Sequence, residues 1–185
     1  MLDNIRMKTL LFFSLFFILN GLPLTGNWIA DADKAKITFT LDGPFGEVHG
    51  SFSGLTSDFQ FDEKDLSKSS ITASVDANTV NSGVGLRNTH LRNEEQWLNT
   101  EKYPRILFKS TKIEKTSSGY SASGTLTLKN ISGPIIIPFT FSSSGNAGLF
   151  KGQFSIKRDD YNLGKKGGSV GEIIQINIEV PVKSN

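Results

Sequence analysis

From Trp28 onward the chain alternates apolar and polar residues, and this period of two constrains the fold more than any other feature. Such a period places one set of side chains on each face of a β-strand. Residues 37–41, 48–53, 71–77 and 120–128 all alternate in this way. Ile135, Ile137, Phe139 and Phe141 share one face of a further run, and Phe150, Gly152, Phe154 and Ile156 share a face of the next, with Gln153, Ser155 and Lys157 opposite. Residues 174–180 close the series, and 106–113 form a less regular strand. One apolar and one wet face per strand is the antiparallel pattern. Asp42-Gly43-Pro44, Ser117-Ser118-Gly119, Ser132-Gly133-Pro134 and Ser144-Gly145-Asn146 carry turn chemistry, so the connections are short. With residues 28–41 counted as the first, the expectation is an all-β chain of eight antiparallel strands closing into a barrel without free edges.

Two segments depart from the alternation. Residues 1–26 begin with Arg6 and Lys8, continue through an uncharged apolar run of about 11 residues, and break at Asn20, Gly21 and Pro23. The run is well short of the roughly 20 residues that span a bilayer. It predicts a signal peptide over 1–26, a mature domain over 27–185, and a periplasmic or secreted location. Residues 86–98 (LRNTHLRNEEQWL) predict one short helix and a following loop, with His90, Glu94 and Trp97 at helical spacing.

Composition removes several function classes. The chain has no Cys, which excludes disulfides, thiolate metal sites, a Cys nucleophile and a lipid-modified Cys. His49 and His90 are its only histidines, so neither a metal site nor another cofactor is expected. Lys and Arg number 20 against 18 Asp and Glu, a net charge of +2, which gives no electrostatic footprint for nucleic acid.

The chain has 14 Phe, four of them in residues 1–26, and 18 Gly, and its apolar faces mix large residues with very small ones. Gly50, Ala73, Ala77, Ala122, Gly124 and Gly152 fall in phase with large residues. Small residues can let rings interdigitate in a filled barrel, or they can leave room for an apolar ligand, and the pattern alone supports both. On the second reading the ligand-facing candidates are Phe39, Phe52, Ala73, Val75, Ala122, Gly124, Leu126, Phe139, Phe154 and Ile176. Arg87 and His90 are the polar candidates, either holding an oxygen-rich head group at the mouth or locking the helix to the rim. Trp97 reads as packing between helix and barrel.

Other motifs read as structural. Arg158-Asp159-Asp160 could be an acid/base cluster, but on an extended strand the two carboxylates point to opposite faces, which favours an Arg–Asp pair. The loop 164–171 lacks the spacing of a phosphate-binding loop and precedes a strand, so it reads as a basic hairpin with weak attraction to membrane surfaces. His49 lies on the wet phase of its strand. Asn130-Ile131-Ser132 is a glycosylation sequon, meaningful only in a eukaryotic secretory route.

Arg87-Asn88-Thr89-His90-Leu91, followed by Trp97 and Lys102-Tyr103-Pro104, resembles the signature of the YceI-like family of exported bacterial lipid-binding proteins. Gly50-Ser51-Phe52, Phe61-Asp62, Phe108-Lys109-Ser110-Thr111, Gly124-Thr125-Leu126-Thr127-Leu128 with Gly133-Pro134, and the segment Ile156 to Tyr161 with Leu163-Gly164 resemble that family's later motifs in order. The resemblance covers about residues 28–182. It implies a lipocalin-like barrel around an elongated apolar cavity, a polyisoprenoid or similar long-chain amphiphile as ligand, no cofactor and no established catalysis. Asn88 stands where the family usually has Asp. The expected function is non-enzymatic sequestration or transport of a polyisoprenoid, isoprenoid quinone or fatty-acid-like molecule in the cell envelope. Rival readings are a filled barrel serving as an envelope stress or interaction protein, and an enzyme acting on a lipid head group. Oligomeric state is left open by the sequence; a homodimer that covers exposed rim surface is one outcome.

Overall fold

The computed structural model describes residues 26–185; the expected signal segment lies outside the described residues, apart from Gly26. The strands are β1 (Asn27–Ala30), β2 (Lys36–Gly43), β3 (Gly46–Gln60), β4 (Ser70–Asn81), β5 (Arg105–Thr116), β6 (Gly119–Leu128), β7 (Ile131–Ser144), β8 (Ala147–Lys157) and β9 (Ile173–Ser184). One α-helix, α1 (Gly85–Asn93), lies between β4 and β5. Strands β2 to β9 pair antiparallel in chain order, and β2 also pairs with β9, which closes an eight-stranded barrel.

The expected first strand, residues 28–41, is broken in two. β1 pairs with Phe59 and Gln60 of β3 and with the end of β9, while β2 pairs with the first half of β3 and with Gln175 to Glu179. Both pieces fill one stave of the barrel. The break comes at Asp31, whose carbonyl accepts from the amides of Lys34 and Ala35 and whose carboxylate holds the Lys34 ammonium at 2.7 Å. That local turn takes bonds that a continuous ladder would have used.

A second correction concerns Ser132-Gly133-Pro134. These residues are not a turn; they lie inside β7, opposite Thr127, Leu126 and Thr125. The reversal occurs one step earlier, where Lys129 adopts a left-handed backbone with φ 57°. Pro134 and Pro138 are tolerated because the β7–β8 ladder begins only at Phe139 and Gly152, so their missing N–H groups interrupt no pairing on that side.

The alternation also changes phase inside β3. Val48, Gly50 and Phe52 point inward, and then Leu55 and Phe59 do, after a register shift around Ser53 and Gly54. Gly54 has φ +68°, which glycine adopts without strain, and the extra residue of this bulge moves the inward set from even to odd positions.

One end of the barrel is plugged with rings. Phe61, 2% exposed, meets Tyr120, Phe139, Phe141 and Phe150 with centroids 5.0–5.6 Å apart in edge-on geometry. Phe59 stacks on Phe150 at 4.8 Å. Edge-to-face contacts of this kind add to the burial of the rings themselves. The opposite end carries α1, the β2–β3 turn and the β8–β9 connection.

Candidate functional site

Above the aromatic plug the side chains do not fill the barrel interior. A cavity of about 630 Å³ extends from Phe59, Phe139 and Phe150 to the helix end of the barrel. Ile174, Ile176, Ile178 and Val180 follow one another down its β9 wall. Ser74, out of phase with the inward Ala73 and Val75, turns its hydroxyl to Arg105, from which it accepts at 2.6 Å. Among the described residues no buried polar side-chain atom lacks a partner. A space of this kind returns free energy only by burying apolar surface.

Of the expected ligand-facing residues, Phe39, Phe52, Ala73 and Val75 line the cavity from β2 to β4. Ala122 and Leu126 of β6, Phe139 of β7, Phe154 of β8 and Ile176 of β9 do the same. Gly124 does not. A side chain there would enter the space of the Lys109 carbonyl and the Phe108 ring, so this glycine lets β5 and β6 approach closely. Gly50 has the same use, because the Phe39 ring occupies the place of its missing side chain. Both uses of small residues therefore occur: Gly50 and Gly124 admit packing neighbours, while Ala73, Ala122 and Gly152 border the cavity. Leu55, Phe59 and Val80 also line it, although the alternation did not assign them. The signal for the first two was Gly54 inside a strand.

The mouth is built by α1 and its neighbours. Arg87, His90 and Leu91 fall on one helix face and all line the opening. The helix and following loop expected over residues 86–98 are both present. The helix ends at Asn93, and the chain folds back so that the Leu98 amide donates to the Leu91 carbonyl at 3.0 Å and the Thr100 amide to Arg92 at 2.7 Å. These bonds satisfy the carbonyls that a helix end leaves open. Trp97 therefore comes from the fold-back, where it lines the cavity and packs on Gly164.

Asn88 fastens the helix to the barrel. Its Oδ1 accepts from both the amide and the hydroxyl of Ser82 at 2.7 Å, and its Nδ2 donates to Asn81 Oδ1 at 3.2 Å. A carboxylate could accept the first two bonds but could not make the third. Asn88 is thus matched to Asn81 in this chain.

His90 is exposed, with Nδ1 3.8 Å from Glu94 Oε1. Arg87 is half-buried, and the ion pairs among the described residues all use other cations. Phe45 at the β2–β3 turn is fully exposed and Leu86 is 68% exposed; with Val84 they rim the opening.

Arg158 stabilises the other side of the mouth. It is 1% exposed and donates to the carbonyls of Leu163, Val170 and Gly171 at 2.8–3.2 Å, with Asp159 at 3.1 Å. The segment is not extended: Arg158–Tyr161 form a 3₁₀ turn. The loop that follows belongs to the mouth, since Val170 lines the cavity and the Gly171 amide donates to Asp42. His49 lies outside the cavity, exposed beside Glu47 at 3.0 Å.

Among the described residues, a closed eight-stranded antiparallel barrel with one α-helix at one end and an apolar interior defines a lipocalin-like class of protein. The YceI-like domain family matches residues 28–182, and the chain belongs to that family. UPF0312 proteins of Yersinia enterocolitica and Yersinia pestis are 29% identical over 140 residues, 72% of this chain and 72% of theirs. BcnA of Burkholderia cenocepacia shares the fold with a TM-score of 0.77 at 23% identity, over 83% of this chain and 99% of BcnA. A polyisoprenoid-binding domain from Saccharophagus degradans, implicated in plant cell wall breakdown, has a TM-score of 0.65 at 16% identity, over 85% of this chain and 98% of that domain.

Proposed function

We propose that the protein is a non-enzymatic carrier that sequesters or transports a long-chain apolar ligand, an isoprenoid or an acyl-chain amphiphile, within the cell envelope. The observation that carries this reading is the cavity of about 630 Å³, apolar along its walls and open at the helix end. Burial returns roughly 0.8 kcal/mol per CH₂, so a tail inserted toward Phe59 and Phe150 would supply the affinity. Arg87 and His90 line the mouth, where they would meet the ligand's polar head; a guanidinium suits phosphate, carboxylate or quinone oxygens. Membership of the YceI-like family and the fold shared with a polyisoprenoid-binding domain support the ligand class. The basic start and short apolar run of residues 1–26 support export to the periplasm or beyond.

The test is displacement of a fluorescent apolar probe from the purified protein. A prenyl lipid or fatty acid should displace it from the parent, and Ala73→Phe should lower uptake at least tenfold while the far-ultraviolet spectrum is unchanged. Equal uptake by the folded variant would refute the assigned lining. N-terminal sequencing of the protein from an envelope fraction, beginning near residue 27, is the result expected for export; an intact Met1 would refute cleavage.

A further inference from the structure

Among the described residues, the largest group of exposed apolar side chains lies at the cavity opening. Phe45 is fully exposed, Leu86 is 68% exposed and Val84 46%, and all three rim the opening. The other exposed large apolar residues, Ile29, Leu107, Ile136 and Ile173, sit singly on four different strands. Scattered residues of that kind are ordinary, whereas apolar residues gathered in one place mark a contact surface. We infer that this end of the barrel docks on a lipid bilayer, with Phe45 and Leu86 dipping among the lipids and the opening facing the membrane. The carrier reading concerns the interior; this contact concerns the rim and goes beyond it.

Local structure holds both tips outward. The β2–β3 ladder runs to Gly43 and Gly46, so Pro44 and Phe45 form the whole tip of the hairpin. The Pro44 ring fixes one backbone angle, and Gly46 takes φ +114°, which favours glycine. The tip is thus short and constrained, and the Phe45 ring projects from it into solvent. Val84 caps α1 and Leu86 lies in its first turn. Asn88, by its bonds to Ser82 and Asn81, fixes that turn to the barrel.

Area and shape select the occupant. The three side chains expose roughly 400 Å², about half of what each partner buries in a stable protein interface. They stand on two separate projections beside an opening, a shape that a fluid lipid layer accommodates and a rigid protein surface would have to match. The same opening leads to apolar walls, so an apolar molecule could pass from bilayer to barrel without crossing water. Charge plays a smaller part. Arg87 follows Leu86, and Lys165 and Lys166 stand exposed in the loop that Gly171 ties to Asp42. Against these, Asp42 and Glu47 flank the hairpin tip and Glu172 follows the loop, so the charges of these segments balance. Burial of the apolar tips therefore carries the contact.

The experiment measures partition of the protein, purified from an envelope fraction, onto vesicles of phosphatidylcholine, alone or with about a quarter phosphatidylglycerol. Binding should occur on the neutral vesicles and rise by less than tenfold on the anionic ones. Phe45→Ser and Leu86→Ser together should lower it at least tenfold. Because the chain has no Cys, a polarity-sensitive dye can be attached at one chosen place. On vesicles the emission of a dye at Phe45→Cys should shift to the blue. A dye at Ser118→Cys, in the β5–β6 turn at the plugged end, should not shift. Equal partition of the double variant overturns the inference, as does an equal shift at both dye positions. Binding to neither vesicle, or to the anionic vesicles alone, also overturns it. A shift at Phe45→Cys that appears with self-association, or with a prenyl alcohol, but not with vesicles gives the rim to a second copy or to the ligand and overturns docking. Probe displacement by the parent protein without vesicles judges the carrier reading separately, so either idea can fail while the other stands.

Discussion

Replacing Arg158 with Ala should loosen the mouth and lower stability more than most single substitutions. The guanidinium is 1% exposed and donates to the carbonyls of Leu163, Val170 and Gly171 while facing Asp159. Truncation leaves three carbonyls without their donor and a carboxylate without its cation. Hydrogen bonds to a charged group contribute about 1.5–3 kcal/mol each, and breaking a buried pair costs about 3–5 kcal/mol. These terms share one side chain and are not additive. The loop 163–171 also lies at the surface, where its carbonyls can turn to water, which limits the loss. The expected cost is therefore about 3–5 kcal/mol, a fall in Tm of about 10 °C for a domain of this size. Arg158→Lys should recover little, because a point charge cannot serve three carbonyls in the fork geometry. Thermal melts give the magnitude, and hydrogen exchange at the Leu163 and Gly171 amides, which donate to Arg158 and Asp42, gives the location. A melt within about 2 °C of the parent, with unchanged exchange in that loop, would refute the reasoning.

Three further outcomes follow from the structure. Tyr120 donates to Glu63 at 2.7 Å, and that bond, with burial, pushes its phenol up to about 12, so one tyrosinate step near that pH should vanish in Tyr120→Phe. Because the folded value lies above the usual 10.0, the stability from this group is full below pH 10.0 and is lost as pH rises toward about 12; alkaline melts should show the fall in the parent and not in the variant. Gly124→Ala should be poorly tolerated, losing about 1–3 kcal/mol against the β5 backbone, whereas Gly152→Ala, whose nearest neighbour would be 3.3 Å away, should stay close to the parent in denaturant titrations. Asn88→Asp should cost about 0.5–1.5 kcal/mol through the lost bond to Asn81, and Asn88→Ala about 1–3 kcal/mol by stranding the buried Ser82 donors; equal stability of all three proteins would remove Asn88 as the helix anchor.

Much of the barrel was legible because alternation reports the face that each side chain takes. β6 shows it most cleanly, with Tyr120, Ala122, Gly124, Leu126 and Leu128 buried in strict succession. Alternation does not report where that phase slips. The bulge at Gly54 moves Leu55 and Phe59 inward, to positions that strict alternation from Val48 gives to the outer face. Turn chemistry was equally local: Gly-Pro at 133–134 looks like a reversal, yet Pro134 lies in a stretch of β7 without a partner on the β8 side. The helix face that lines the mouth followed from spacing, but its end did not, because Leu98 and Thr100 terminate it from beyond the helix. The choice between filled barrel and cavity was out of reach of the sequence. Gly124 and Ala122 are neighbours in phase, and only the distance from Gly124 to β5 separates a packing glycine from a lining alanine.

The most direct test of the carrier account is mass spectrometry of an organic extract of the protein, purified natively from its own envelope. The account predicts one long-chain apolar molecule at close to one per protein chain. An empty extract, together with no uptake of prenyl lipids or fatty acids offered afterward, would contradict it.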